Sequence, residues 1–203
     1  DEWQIKVIEH VNHNESVLIT APTSCGKTWL AIYPGVIGKK VLFIVPTDAL
    51  VFQVGSLFNK FTKSSPLLIT DEGLYGNNKD IVVGTPKKIE DKLPIIGNDF
   101  DYIIVDEIHN LNSEELHHYY ERLLKIFSDK SIMGLSATIG DPQSLISWLN
   151  SFSEKEINLV SFNTRFLNLQ RKVFHNNKLV NIHPMSCLTL DDINTKYLSK
   201  NLP

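Results

Sequence analysis

Three consecutive residues, Gly26, Lys27 and Thr28, close the stretch Ala21–Thr28 with a flexible joint, an ammonium and a hydroxyl. That is equipment for gripping a polyphosphate. Backbone N–H groups of the loop wrap the phosphates, the lysine meets their outer oxygens, and the threonine ligates an accompanying magnesium ion. Thr23, Ser24 and Cys25 complete the wrapping segment. A second constellation, Asp106-Glu107-Ile108-His109, lies far downstream. Asp106 can hold magnesium through water opposite Thr28, and Glu107 beside it can orient and deprotonate an attacking water. The plainer alternatives are a chance loop at Ala21–Thr28 and an Asp106 that only caps a helix, with Glu107 and His109 solvated.

Both groups need strands to deliver them. The run Ser16–Thr20 reads as the strand before the loop, and Trp29, Leu30, Ala31 and Ile32 continue a helix that Pro34 and Gly35 should stop. Tyr102–Val105 reads as a buried strand ending at Asp106. Before them, Trp3, Val7, Ile8 and Val11 have helical spacing behind Asp1 as N-cap, with Gln4 at the helix start. Between and after them the chain alternates. Strands are expected at 41–45, 66–70, 81–84 and 131–137. Helices are expected from Pro46-Thr47, after Pro86, from Ser113-Glu114 and behind the cap Asp141-Pro142. Residues 73–78 and 94–101 read as turn-rich connections.

This rhythm predicts an α/β fold with a parallel, doubly wound sheet and its site at the strand C-termini. From about residue 151 the pattern changes: strands are expected at 158–162, 166–174 and 178–182, the last two pairing as a β-hairpin, and 191–203 has no strong pattern. The expected division is therefore a domain over 1–150 and a linker with a hairpin over 151–203.

At 203 residues, 42% hydrophobic and 21% charged, the chain is of globular composition and long enough to bury a core. Its net charge of −3 excludes a bulk polyelectrolyte binder, so nucleic acid must be met by a local patch. Cys25 and Cys187 form neither a metal spacing nor a disulfide framework, which points to a reducing intracellular compartment, the cytoplasm ahead of the nucleus or a viral setting. No apolar run reaches membrane-spanning length, so no membrane association is expected. The chain starts at Asp1 without methionine, and a processed form or a piece of a longer protein is the expectation.

With these residues in hand, Ala21–Thr28, Asp106–His109 and the tripeptide Ser136-Ala137-Thr138 resemble motifs I, II and III of superfamily-two helicases of the DExH-box kind. Ile139-Gly140-Asp141-Pro142 and Trp148-Leu149 are similar to the Ski-type branch, in which an initial alanine in the phosphate loop is the expected form. The resemblance covers roughly residues 1–150 and implies a RecA-like domain that uses ATP and Mg2+. It makes Gln4 the adenine reader, although a single glutamine also reads as an exposed helix residue. It makes Lys27, Asp106 and Glu107 catalytic, Thr28 and Asp106 the magnesium holders, and His109, Ser136 and Thr138 the coupling between nucleotide and strand.

The same resemblance places motif Ia at Pro46-Thr47-Asp48-Ala49-Leu50 with Gln53, and motif Ib at Gly84-Thr85-Pro86-Lys87-Lys88. Pro46, Thr47, Gly84, Thr85, Pro86 and Lys87 then contact the phosphate backbone of a single strand, RNA in preference to DNA. Lys87 and Lys88 read equally as a solvated helix start. Asp48 departs from the family, which has a basic residue there; an acid would repel phosphate unless it points elsewhere. The family also requires a second RecA-like domain with arginines, for which 151–203 is too short, and Arg165 and Arg171 read as exposed linker charges. The expectation is the N-terminal domain of a monomeric ATP-dependent helicase that hydrolyses ATP poorly alone. The rivals are a DNA translocase or repair helicase, separated by RNA- against DNA-stimulated ATPase, and a non-catalytic nucleotide-binding scaffold, against which the intact Lys27, Asp106 and Glu107 argue. Cys25, in a cationic nest at a helix start, is in surroundings that favour thiolate.

Overall fold

Runs of consecutive apolar residues become the interior strands of one sheet, covered on both faces. The computed structural model describes residues 1–112, 115–137, 139–163, 171–175 and 178–182, the last two segments as backbone. The strands are β1 (Ser16–Thr20), β2 (Val41–Ile44), β3 (Pro66–Ile69), β4 (Leu74–Tyr75), β5 (Asn78–Gly84), β6 (Tyr102–Val105), β7 (Ser131–Ser136) and β8 (Ile157–Ser161). They lie in the order β4-β3-β5-β2-β6-β7-β1-β8. All pairings are parallel except β3 with β4. Because β6, β7 and β1 are neighbours, the segments that follow them emerge side by side at the carboxyl edge.

Among the described residues, six helices cover the sheet. On one face α1 (Glu2–Asn12), α2 (Lys27–Val36) and α3 (Asp48–Thr62) bury Trp3, Leu30 and Phe58 against β1, β2 and β7. On the other, α4 (Pro86–Ile96), α5 (His117–Ile126) and α6 (Pro142–Asn150) bury Ile89, Leu123 and Leu149. The doubly wound α/β expectation is met. Asp141 caps α6 as its sequence predicts, its Oδ1 accepting from the N–H groups of Gln143 and Ser144 at 3.1 Å.

Four local expectations are revised. Helix α2 passes through Pro34 and ends only at Val36. Gly35 lies against α3 so tightly that a Cβ there would sit 2.6 Å from Phe58 Cε1, so packing holds the last turn despite the proline. The turn-rich stretch contains β4, a two-residue antiparallel edge on β3. A 3-10 turn, Ile108–Asn112, comes before α5, which starts at His117; the expected cap at Ser113-Glu114 lies outside the described residues.

The fourth revision concerns the domain boundary. β8, placed by sequence in the linker, completes the main sheet: Ile19 pairs with Val160 and Thr20 Oγ1 donates to Ser161 Oγ at 2.7 Å. Just beyond, Phe162 stacks on Trp3 at 5.3 Å. The first compact unit is therefore Asp1–Arg165 rather than 1–150, and the second is Phe166–Pro203. In the second unit β9 (Arg171–His175) and β10 (Lys178–Ile182) form the expected antiparallel hairpin, Val173 opposite Val180. Residues 164–170, 176–177 and 183–203, with Arg165 and Cys187, lie outside the described residues. Among those described, no helix is long and apolar enough to cross a membrane.

Candidate active site

β1 hands the chain to the loop Ala21–Gly26 at the carboxyl edge of the sheet. Ala21 is buried, and its N–H donates to the carbonyl of Ser136 at the end of β7, 3.1 Å away. Ser24 and Gly26 both take left-handed backbone angles, φ +67° and +86°. Alternating conformations of this sort turn successive N–H groups inward into an anion-binding concavity. Gly26 then starts α2, whose first-turn N–H groups face the same space.

Lys27 Nζ donates to the carbonyls of Ala21 and Pro22, the latter at 2.8 Å, so the ammonium arches over the loop. Burial pushes its pKa down, outweighing the charges of Glu107, Cys25 and Asp106, which push it up. A partly desolvated cation of this kind gains most when an anion arrives.

From β6, two strands away, come the acids. Asp106 is pushed up by burial and then by the Glu107 charge; the Glu107 N–H, Lys27 and His109 oppose the shift. Asp106 Oδ1 accepts that N–H at 3.0 Å. Glu107 itself sits at φ +49°, a backbone region that costs a non-glycine residue about 1–3 kcal/mol. Its Oε2 is buried and makes no hydrogen bond among the described residues. His109 Nδ1 is 3.3 Å from that oxygen, out of line for a hydrogen bond, and 3.1 Å from Ser136 Oγ. Loop, acids, His109 and Ser136 thus converge, while Thr138 lies outside the described residues.

Gln4 also reaches this edge. The Trp3–Phe162 stack anchors the start of α1, and Gln4 Nε2 donates to the carbonyl of Cys25 at 3.3 Å. Gln4 is packed on the loop, not free on the helix surface. As to metal, the described residues contain no group of three or more His, Cys, Asp or Glu side chains placed so that they could hold a metal ion by themselves. The two adjacent carboxyls, Asp106 and Glu107, suit magnesium, which keeps several waters and borrows phosphate oxygens.

A model of the DEAD/DEAH box helicase family matches residues 1–145. The chain belongs to the DEAD/DEAH box helicase family.

Among its relatives, the human "Probable ATP-dependent RNA helicase DDX60-like" is 32% identical over 75% of this chain and 10% of its own length. Human Superkiller complex protein 2 is 27% identical over 87% of this chain and 15% of its own length. The ATP-dependent DNA helicase Hel308 of Caldivirga maquilingensis is 29% identical over 80% of this chain and 23% of its own length. The chain therefore spans less than a quarter of the length of these relatives. Among solved structures, the DEAD-box helicase Mss116 bound to ssRNA and UDP-BeF superposes with TM-score 0.65 at 20% identity, over 79% of this chain and 39% of that one. At that identity the likeness shows the RecA-like helicase fold alone.

A second feature of this helicase domain is a cleft of about 340 Å3 between the N-termini of α3 and α4. It brings together Pro46 and Thr47 with Thr85, Pro86 and Lys87. Gly84 is different: it is buried at the end of β5, its carbonyl accepting the N–H of Val45 at 3.0 Å, and it does not line the cleft. Asp48 lines the same cleft, and its Oδ2 is taken up by the backbone, accepting the N–H of Asp71 at 2.9 Å. Asp71 in turn pairs with Lys88 at 2.6 Å. Nothing in the sequence flags Asp71, which looks like any acid in a turn; only the fold carries it to Lys88.

Cys25 is half-buried against the core at the α1 side of the loop. Because a bound nucleotide would cover the loop, ATP is expected to slow labelling of Cys25 by a thiol reagent severalfold. Mass spectrometry of the labelled chain with and without nucleotide checks this, and equal rates would contradict it.

Proposed function

We propose that this chain is the ATP-binding half of a helicase motor that works on single-stranded RNA and hydrolyses ATP efficiently only when joined to a second RecA-like domain. The observation that carries the reading is the meeting of two sequence-distant groups at one sheet edge, the loop with Lys27 and the pair Asp106-Glu107, close enough for Lys27 to feel both acids.

In this reading Gln4 reads adenine. The backbone of Thr23, Ser24, Cys25 and Gly26 wraps the phosphates, and Lys27 leaves the carbonyls of Ala21 and Pro22 to meet their outer oxygens. Thr28 and Asp106 would hold Mg2+, which when bound supplies neutralisation of phosphate charge. Glu107 holds and deprotonates the water; its buried, unsatisfied Oε2 supports that role, since a lone acceptor there costs free energy until a donor such as water fills it. His109 and Ser136 carry the state of the site to β7, and Thr138 is assigned to the same coupling on the resemblance alone. Pro46, Thr47, Thr85, Pro86 and Lys87 grip strand phosphates from two helix N-termini.

RNA is preferred on the DDX60-like relative, which has the highest identity of the three. The Hel308 relative, a DNA helicase, favours the second reading, a DNA translocase. Stimulation of ATPase in the full-length protein by single-stranded RNA and DNA of one sequence separates them. RNA is expected to stimulate severalfold more. Stimulation by DNA alone would establish the rival, and nucleotide binding without any stimulated hydrolysis would point to a scaffold.

A further inference from the structure

The cleft between α3 and α4 is already furnished with an anion of its own. Thr47 and Thr85, the N-cap residues of the two helices, have extended backbones, and neither makes a capping hydrogen bond through its side chain. Both helices therefore turn first-turn N–H groups outward. On the α4 side stand Lys87 and Lys88. Among the described residues Lys87 makes no ion pair, whereas Lys88 is held by Asp71 at 2.6 Å. Asp71 is itself steered there: Asp48, in the first turn of α3, accepts its N–H. The acid that looked out of place in the phosphate-gripping segment thus has a structural task, aiming a second acid at a lysine.

We propose that the Asp71 carboxylate is a built-in surrogate for a strand phosphate, occupying Lys88 in the empty cleft and exchanged for a backbone phosphate when a single strand binds. This rests on the nucleic-acid reading of the cleft. Asp71 is suited to leaving: its side chain is 73% exposed, against 29% for Lys88, and it sits in the short loop between β3 and β4. Exposed ion pairs of this kind are weak and open readily. The exchange sets how tightly the cleft grips. A lysine that neutralises a strand phosphate releases a cation condensed on the nucleic acid, and affinity then falls with salt. A lysine paired with a fixed carboxylate leaves that carboxylate beside the phosphate, so the pair has no net charge with which to displace such a cation. Lys88 therefore positions the strand without adding to affinity or salt dependence, and Lys87 supplies the net attraction. A grip weakened in this way lets a strand be released and retaken.

The test measures binding of fluorescein-labelled oligouridine RNA to the full-length protein by anisotropy over a potassium chloride series. Asp71→Asn is expected to tighten binding about threefold or more at moderate salt and to steepen the slope of log K against log salt by about 0.7, one further phosphate neutralised on a single strand. Asp71→Asn with Lys88→Gln should return the slope to that of the wild type. An unchanged or weaker affinity for Asp71→Asn would overturn the proposal, as would a tighter affinity with unchanged slope, or a steeper slope that survives loss of Lys88. Thermal denaturation of each variant identifies any unfolding, in which case Lys88→Gln alone decides: its slope should match the wild type, and a shallower one would overturn the proposal. Lys87→Gln separates this idea from the reading beneath it. If Lys87→Gln weakens RNA binding while the Asp71 and Lys88 variants fail as described, only the surrogate falls. If neither lysine affects RNA binding, the cleft is not the strand site.

Discussion

In the full-length protein, Glu107→Gln is expected to leave ATP binding within about twofold of wild type and to lower ATP hydrolysis by roughly 10^2- to 10^4-fold, the range in which a positioned general base contributes. The substitution keeps the shape of the side chain and its strained backbone, φ +49°, and removes only the charge that can take a proton. Lys27→Ala should behave oppositely, weakening nucleotide binding itself. It deletes the cation that the loop carbonyls hold at the site, while Asp106 and Glu107 remain. Isothermal titration with ATP and steady-state phosphate release on the same preparations measure both quantities. Normal turnover in Glu107→Gln would remove Glu107 from the role of base, and unaltered ATP affinity in Lys27→Ala would remove Lys27 from the phosphate site.

Gly84→Val is the second large effect expected, and it is one of packing. A Cβ at position 84 would stand 2.9 Å from Ile89 Cγ1, 3.1 Å from Ile69 Cβ and 3.2 Å from the Ile69 carbonyl. The first belongs to the opening turn of α4 and the others to β3, part of it backbone that cannot rotate away. Overpacking of a tight core costs about 1–3 kcal/mol, and valine adds two methyl groups beyond the Cβ, so about 3 kcal/mol is expected. For a chain of this size that corresponds to a melting temperature lower by roughly 6–12 °C. Calorimetry checks it, and a variant within 2 °C of wild type, on the order of a fraction of a kcal/mol, would contradict this account of the glycine. Because α4 carries Thr85, Pro86 and Lys87 into the cleft, the same variant should also weaken RNA binding at temperatures where it is folded.

These two results stand on different kinds of information. The placement of Lys27, Thr28, Asp106 and Glu107 was legible in the sequence because it is local: the loop lies between a strand and a helix, and the acids end a buried strand. Tyr102–Val105 is a short, β-rich apolar run, the pattern of a buried strand. Gly84 was read as a strand contact because the resemblance counts it in one motif with Thr85, Pro86 and Lys87. Its placement depends on how closely β3 and α4 approach it, which no local pattern encodes.

β8 shows the same limit at larger scale. The stretch 158–162 reads as a strand, yet whether it pairs with β1 or belongs to the hairpin beyond depends on partners far away in the chain. Hydrogen bonds to β1 and the packing of Phe162 on Trp3 decide in favour of the sheet and move the boundary to Arg165. Pro34 was read as a helix stop, and local propensity does favour that. The contact of Gly35 with Phe58 overrides it.

By itself the sequence determined the α/β alternation, the loop between β1 and α2 and the acid pair at the end of β6, because hydrophobic periodicity and short motifs are properties of neighbouring residues. The tertiary structure alone decided that Ser136 meets Ala21 and His109, that Gln4 lies on the loop, and that Asp48 aims Asp71 at Lys88. Each of those is a contact between segments joined only by the order of strands in the sheet, and that order follows from the burial of whole faces, not from any one stretch of chain.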